Sequence, residues 1–169
     1  MRGTILLLLA MVIIAAADER RELRDLRSDF ERITKPSETD RVRYVTSLVR
    51  LRESYTRADA AIMDQIDAEI ERHPMPANVN SKTLVRRLIG QWQSPRHAYF
   101  YYANGTWASD DDTPKQTAGT WRIQGNRFFQ NYKGMDPDSG GIIILLTDTD
   151  FIYEGPYYLR RGTIFPWRG

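Results

Sequence analysis

Between Gly90 and Arg161 the chain is punctuated at short intervals by turn-forming residues: Asn104-Gly105, Gly125-Asn126, Asp138-Ser139-Gly140-Gly141 and Glu154-Gly155-Pro156. The runs between them are aromatic or β-branched and too short for helices, which is the pattern of an antiparallel meander. Strands are predicted near 90–94, 98–102, 106–109, 117–123, 127–132, 141–146, 151–154 and 157–161. Side chains alternate across a strand. Tyr99, Tyr101, Trp107, Trp121 and Ile123 should therefore share one face, with Phe100 and Tyr102 on the other. Residues 142–146 are apolar on both faces, so the outer face of that strand needs a cover, for which the N-terminal helices are the candidate.

Three stretches carry a resemblance: Leu88-x-Gly90-x-Trp92, Tyr99-x-Tyr101-x-x-Asn104-Gly105-Thr106-Trp107, and Gly119-Thr120-Trp121-Arg122-Ile123-x-Gly125-Asn126. In this order and spacing the C-terminal half resembles the calycin, or lipocalin-like, superfamily, and among them the small lipocalin-like domains of secreted bacterial proteins. The resemblance implies a small antiparallel barrel. It also implies that Trp92 of the first strand, following Gly90, packs beneath an arginine of the last strand, where Arg160 and Arg161 stand. Alternation lets only one of the two face inward, in a cation–π contact of roughly 0.5 to 2 kcal/mol. From Leu88 to Gly162 the chain is short for the eight long strands of a full ligand-carrying lipocalin.

Upstream the period changes. Leu23, Leu26, Phe30 and Ile33, then Tyr44, Leu48, Leu51 and Tyr55, then Ile62, Ile66 and Ile70 recur three or four residues apart, each set forming one apolar helical stripe. Pro36 ends the first helix and Thr39 or Asp40 can cap the next; the second and third are either separate or one long helix, since no Gly or Pro lies between Thr39 and Arg72. Helices of this length are marginal alone and must pack on something. The division expected is a leader at 1–17, a helical hairpin at 18–73, a stiff linker at 74–83 built on Pro74 and Pro76, and the barrel at 84–169. Residues 81–87 should form a short helical turn plugging one barrel end. The fold class is α+β: a helical hairpin followed by a small antiparallel barrel or strongly curved meander sheet.

Arg2, an apolar run from Ile5 to Ile14 and Ala15-Ala16-Ala17 before Asp18 have the layout of a secretory signal peptide cleaved after Ala17, with an uncleaved anchor as the rival reading. The chain has no cysteine, which removes disulfides, thiolate catalysis and thiolate metal sites. Export without cysteine fits a bacterial periplasm or exterior. The charge is +2 overall, and neither the helical half, with 12 basic and 14 acidic residues, nor the barrel half, with 11 and 8, is a polyelectrolyte binder. No nucleic-acid partner is expected, and membrane contact only through the leader.

Candidate chemistry is sparse. His73 and His97 lack metal-ligand spacing. Ser94 or Ser109 with His97 and Asp110 lacks a nucleophile elbow. Asp110-Asp111-Asp112 and the Asp136 to Gly140 loop do not complete a calcium-binding spacing. No catalytic residue, metal or cofactor is assigned. The aromatic pool is the suggestive feature: Tyr99, Tyr101, Trp107, Trp121, Tyr132, Tyr153, Tyr157 and Trp167 could line a pocket, but in a barrel this small, filled by its own side chains, core is the favoured reading. As ligand-lining candidates we take Tyr99, Tyr101, Trp107, Trp121 and Tyr153, and as barrel-closing residues Gly90, Trp92, Arg160 and Arg161. The expected function is that of an exported, non-catalytic binding or interaction module, with a small apolar ligand inside the barrel as one version of it. The alternatives are a filled barrel that meets an envelope protein, and a hydrolase or isomerase on a calycin-like scaffold.

Overall fold

The computed structural model describes residues 21–55, 59–95, 97–110, 119–132, 140–155 and 157–162. The leader at 1–17, Arg96, Asp111, Asp112, residues 136–139 and Trp167 lie outside them. The chain divides into two compact units, Met1–His73 and Pro74–Gly169. No helix among the described residues is long and apolar enough to cross a membrane.

Among the described residues the first unit holds three helices: α1 at 21–31, α2 at Glu38–Glu53 and α3 at Ala60–Glu71. The cap of α2 is Ser37, not Thr39 or Asp40. Both of those already lie inside the helix, and Asp40 serves as the third-position partner whose carboxylate accepts from the Ser37 N–H at 3.0 Å while Ser37 Oγ accepts from the Asp40 N–H at 3.2 Å. The second and third stripes are separate helices, because α2 closes at Ser54, whose N–H donates to Leu51 and Arg52. Tyr44, Val45, Leu48, Val49, Leu51, Ile62, Ile66 and Ile70 are buried. Arg52 grips Asp67 with two hydrogen bonds, fixing α2 against α3.

The second unit is a closed, all-antiparallel eight-stranded barrel in sequence order: β1 Gly90–Gln93, β2 Ala98–Tyr101, β3 Thr106–Ser109, β4 Gly119–Gln124, β5 Arg127–Asn131, β6 Gly140–Leu146, β7 Asp150–Tyr153 and β8 Tyr157–Arg161. Closure is made by β1 on β8, with Trp92 opposite Arg161 and Gln93 opposite Arg160. A closed barrel has no open edge, so every strand can be short without exposing a pairing template. The turns at Gly105 and Gly125 need positive φ, which both glycines supply at 79° and 59°.

A helix, α4 at Ser81–Leu88, precedes β1 and is capped by Asn80, whose side chain accepts from the Lys82 N–H. Its Leu84 and Leu88 join Trp92, Tyr101, Trp107, Phe128, Phe151 and Leu159 in one buried cluster, so α4 stoppers the barrel end where β1 begins. The segment read as a linker is not one. Met75 is in the same cluster, its N–H donates to Ile143 O at 2.9 Å, and Asn126 Nδ2 donates to its carbonyl at 2.6 Å. The prolines stiffen a strap held on the barrel.

In β6, Ile143, Ile144, Leu145 and Leu146 are all buried. The pairing shifts between Ile143, opposite Tyr153, and Leu145, opposite Ile152. Ile144 is the extra residue of a β-bulge, which resets the alternation so that both Ile143 and Leu146 face the interior.

Candidate functional site

Alternation decides which side chains point into the barrel, and distance from the α4 stopper decides which of them reach water. At the stoppered end the guanidinium of Arg161 lies 4.4 Å above the Trp92 ring. Its Nη1 donates to Ile89 O at 2.7 Å and its Nη2 to Arg87 O at 2.6 Å, so it also takes up carbonyls left at the end of α4. Arg161 is thus the inward member of the pair. Arg160 points out, 3.8 Å from Asp150 across the β7–β8 pair. Gly90 is required beside this clamp: a Cβ there would overlap Arg161 Nη1, and its φ is 129°.

The middle of the barrel is filled. Each indole N–H there is spent on a main-chain carbonyl: Trp92 on Leu88 at 2.7 Å, Trp107 on Asn131 at 3.1 Å, Trp121 on Thr106 at 2.8 Å. Tyr101, 1% exposed, donates its hydroxyl to Gln130 Oε1 at 2.8 Å. These hydrogen bonds satisfy groups that would otherwise make burial costly, and they mark Tyr101, Trp107 and Trp121 as core. The three residues are placed inside the barrel, as alternation requires, but beneath the region a ligand could enter.

At the end opposite α4 the filling stops. A recess of about 350 Å³ is lined by Tyr99, Phe128, Gln130, Tyr132, Gly140, Tyr153, Glu154 and Tyr157. Of the five candidate lining residues only Tyr99 and Tyr153 reach it. Tyr132 and Tyr157, from the wider aromatic pool, complete the phenol wall; Phe128 and Gln130 carried no sequence signal that set them apart from ordinary strand residues, and Gly140 and Glu154 were legible only as turn residues. Tyr153 and Tyr157 stack at 5.0 Å with planes 15° apart, and Tyr132 stands edge-on to Trp107 at 4.8 Å. Phe128 forms the floor, 5.3 Å from Tyr153 and 5.7 Å from Tyr101. Gly140 keeps the recess narrow-walled, since a Cβ there would overlap the Phe128 carbonyl. Glu154 Oε2 accepts from the Ile142 N–H at 3.1 Å, holding the carboxylate at the rim.

Burial pushes the Tyr101 and Tyr153 phenols above their ordinary value, and their neighbours Tyr99 and Tyr132 push both further because an extra phenolate there would add to a cluster of electron-rich oxygens. They remain protonated and uncharged at neutral pH.

The helical unit has a second polar cluster. Glu69, 4% exposed, accepts from Tyr44 Oη at 3.0 Å, Arg27 Nη2 at 2.7 Å and Arg72 Nη1 at 2.9 Å, and meets His73 Nε2 at 3.2 Å. Phe30, Tyr44 and His73 pack as one aromatic group beside it. Burial alone would raise the Glu69 carboxyl, but the hydrogen bonds from His73 and Tyr44 and the Arg27 guanidinium outweigh it and hold the group below its ordinary value. A carboxylate with this many donors around it ties helices together; it has no face left for a substrate. A trough of about 490 Å³ between α1 and α2, lined in part by Asp25, Asp29 and Arg50, lies open to water along its length. Among the described residues no group of three or more His, Asp or Glu is placed to hold a metal ion.

Comparison with known proteins leaves the barrel recess as the guide to function: no family model, curated protein or solved structure matches the chain.

Proposed function

We propose that this protein is an exported, non-catalytic binding module with a lipocalin-like barrel that holds a small, largely apolar ligand in its tyrosine-lined mouth. The observation that carries the reading is the recess itself: one end of the barrel is stoppered by α4 and filled, while the other opens a space of about 350 Å³ walled by aromatic rings. That volume falls at the lower end of the roughly 300 to 1,000 Å³ usual for ligand sites. The ligand is therefore small. The lipocalin-like assignment is supported by the first-strand tryptophan under a last-strand arginine and by the sequence-order closure of eight strands. Export is supported by the layout of residues 1–17 alone. The helical hairpin is read from the α2–α3 pair, bound by Arg52 and Asp67.

Native mass spectrometry of residues 18–169 purified gently from the host envelope tests the reading. A small molecule that departs on denaturation is the expected result. A bare protein that also fails to bind a panel of small amphiphiles would sink it. Arrival with a second polypeptide instead would favour the envelope-partner alternative, for which the trough between α1 and α2 and the exposed Ile33 are the specific surface.

A further inference from the structure

The chemistry of the recess narrows the ligand class. Tyr99, Tyr132, Tyr153 and Tyr157 contribute four phenol rings, Phe128 a fifth aromatic surface, and Glu154 a carboxylate; no lysine or arginine is among the described lining residues. Resting on the reading of this recess as a ligand site, we propose that it selects a small organic cation of the quaternary ammonium class.

Ring faces carry negative electrostatic potential, and several of them around a water-poor space attract a cation that has little hydration to lose. A quaternary ammonium meets that condition. Its charge is spread over methyl groups, so it buries apolar surface against the rings and requires no hydrogen-bond acceptor for each N–H. The tyrosines suit this role because a phenol is uncharged at neutral pH, and it offers the cation a ring face without adding a charge that would draw in a metal ion. Glu154 at the rim supplies the one formal charge among the described lining residues, and its sign opposes an anionic ligand. At about 30 Å³ per water-sized group, the recess takes roughly a dozen such groups, ample for a choline-sized molecule and too little for a long acyl chain of about 16 carbons or a haem.

The test is isothermal titration of the full chain with choline chloride and, at matched ionic strength, with its neutral isostere in which the quaternary nitrogen is replaced by carbon. Choline is expected to bind about tenfold more tightly, the factor that corresponds to about 1.4 kcal/mol. Tyr157→Leu keeps apolar bulk at an exposed position and removes a ring; it should weaken choline by about fivefold while leaving the isostere within about twofold. Glu154→Gln keeps the acceptor for Ile142 and should weaken choline alone. Tryptophan fluorescence of each variant checks that the barrel is intact.

If the isostere binds as tightly as choline, the cation inference is overturned while the apolar-ligand reading stands. If neither binds, the cation inference is overturned, and the apolar-ligand reading stands or falls on the amphiphile panel. Choline binding that neither substitution touches places the cation elsewhere and overturns the inference. The same group occurs free or as a lipid headgroup: co-sedimentation with phosphatidylcholine vesicles would identify the headgroup as the source, and choline binding without it a free solute.

Discussion

Replacing Arg161 by methionine keeps most of the side chain's apolar stem and removes its charge, its two short hydrogen bonds and its contact with Trp92. Hydrogen bonds from a charged donor net about 1.5 to 3 kcal/mol each, and Arg161 is only partly buried, so the low end applies to the bonds with Arg87 O and Ile89 O. The cation–π contact at 4.4 Å adds about 1 kcal/mol. The barrel should lose about 3 to 4 kcal/mol in all, since the freed carbonyls regain water only in part. All four tryptophans, at 92, 107, 121 and 167, lie in the barrel unit, so urea unfolding followed by tryptophan fluorescence reports on that unit alone. With a slope of about 2 kcal/mol per molar urea, the midpoint should fall by about 1.5 to 2 M. Arg160→Met is the control: its exposed pair with Asp150 at 3.8 Å should cost about 0.5 kcal/mol. Equal midpoints for the two variants would refute the reasoning, because they would mean that facing inward over Trp92 confers nothing on Arg161.

Other expectations follow from close approach and from charge. Gly119→Ala would drive a Cβ into Asn131 O on β5 and the Trp107 indole nitrogen, so the barrel's thermal midpoint should drop by the equivalent of at least about 3 kcal/mol, against a smaller change for Ala108→Gly on the neighbouring strand; a tolerated Gly119→Ala would show that the Asn131 carbonyl and the Trp107 ring do not close on Gly119. Glu69→Gln should cost the helical unit about 2 to 3 kcal/mol at pH 7 by stripping the charge that Arg27 and Arg72 face. The Glu69 carboxyl is held below its ordinary 4.5, so its contribution is present in full above pH 4.5 and disappears as pH falls through the lower folded value. In far-UV circular dichroism melts the gap between wild type and Glu69→Gln should therefore be widest near pH 7 and shrink as pH is lowered through the acid range, and a gap that stays constant down to acid unfolding would count against the clamp.

Much of the barrel was legible because each strand is short and bounded by a residue with one evident job. Gly105 and Gly125 occupy positive φ, and the strands between the turn signals fall within a residue or two of expectation. What alternation cannot give is depth along the barrel axis, which depends on strand tilt and stagger. For that reason Tyr101, Trp107 and Trp121 share a face with Tyr99 and Tyr153 yet sit in the filled middle, while Gln130 and Glu154 reach the recess. The Ile144 bulge was hidden because residues 142–146 are apolar throughout, leaving no polar residue to mark a change of phase. The strap at Met75 was hidden for a different reason. Two prolines predict an extended segment, but that does not say whether it stands in water or lies along a sheet, as Met75 does through its bond to Ile143.

The clamp over Trp92 also sets an order in time. Arg161 donates to carbonyls 72 and 74 residues earlier in the chain, and the β1–β8 pair it sits on is the most distant pairing in the barrel. Until residue 161 is available the first strand has a bare edge and its tryptophan has no lid, however completely the intervening hairpins have formed. Closing such a loop is slow compared with forming the hairpins themselves. The partly built barrel is therefore the species most exposed to wrong pairing, and the lock over Trp92 can be set only once the last strand exists.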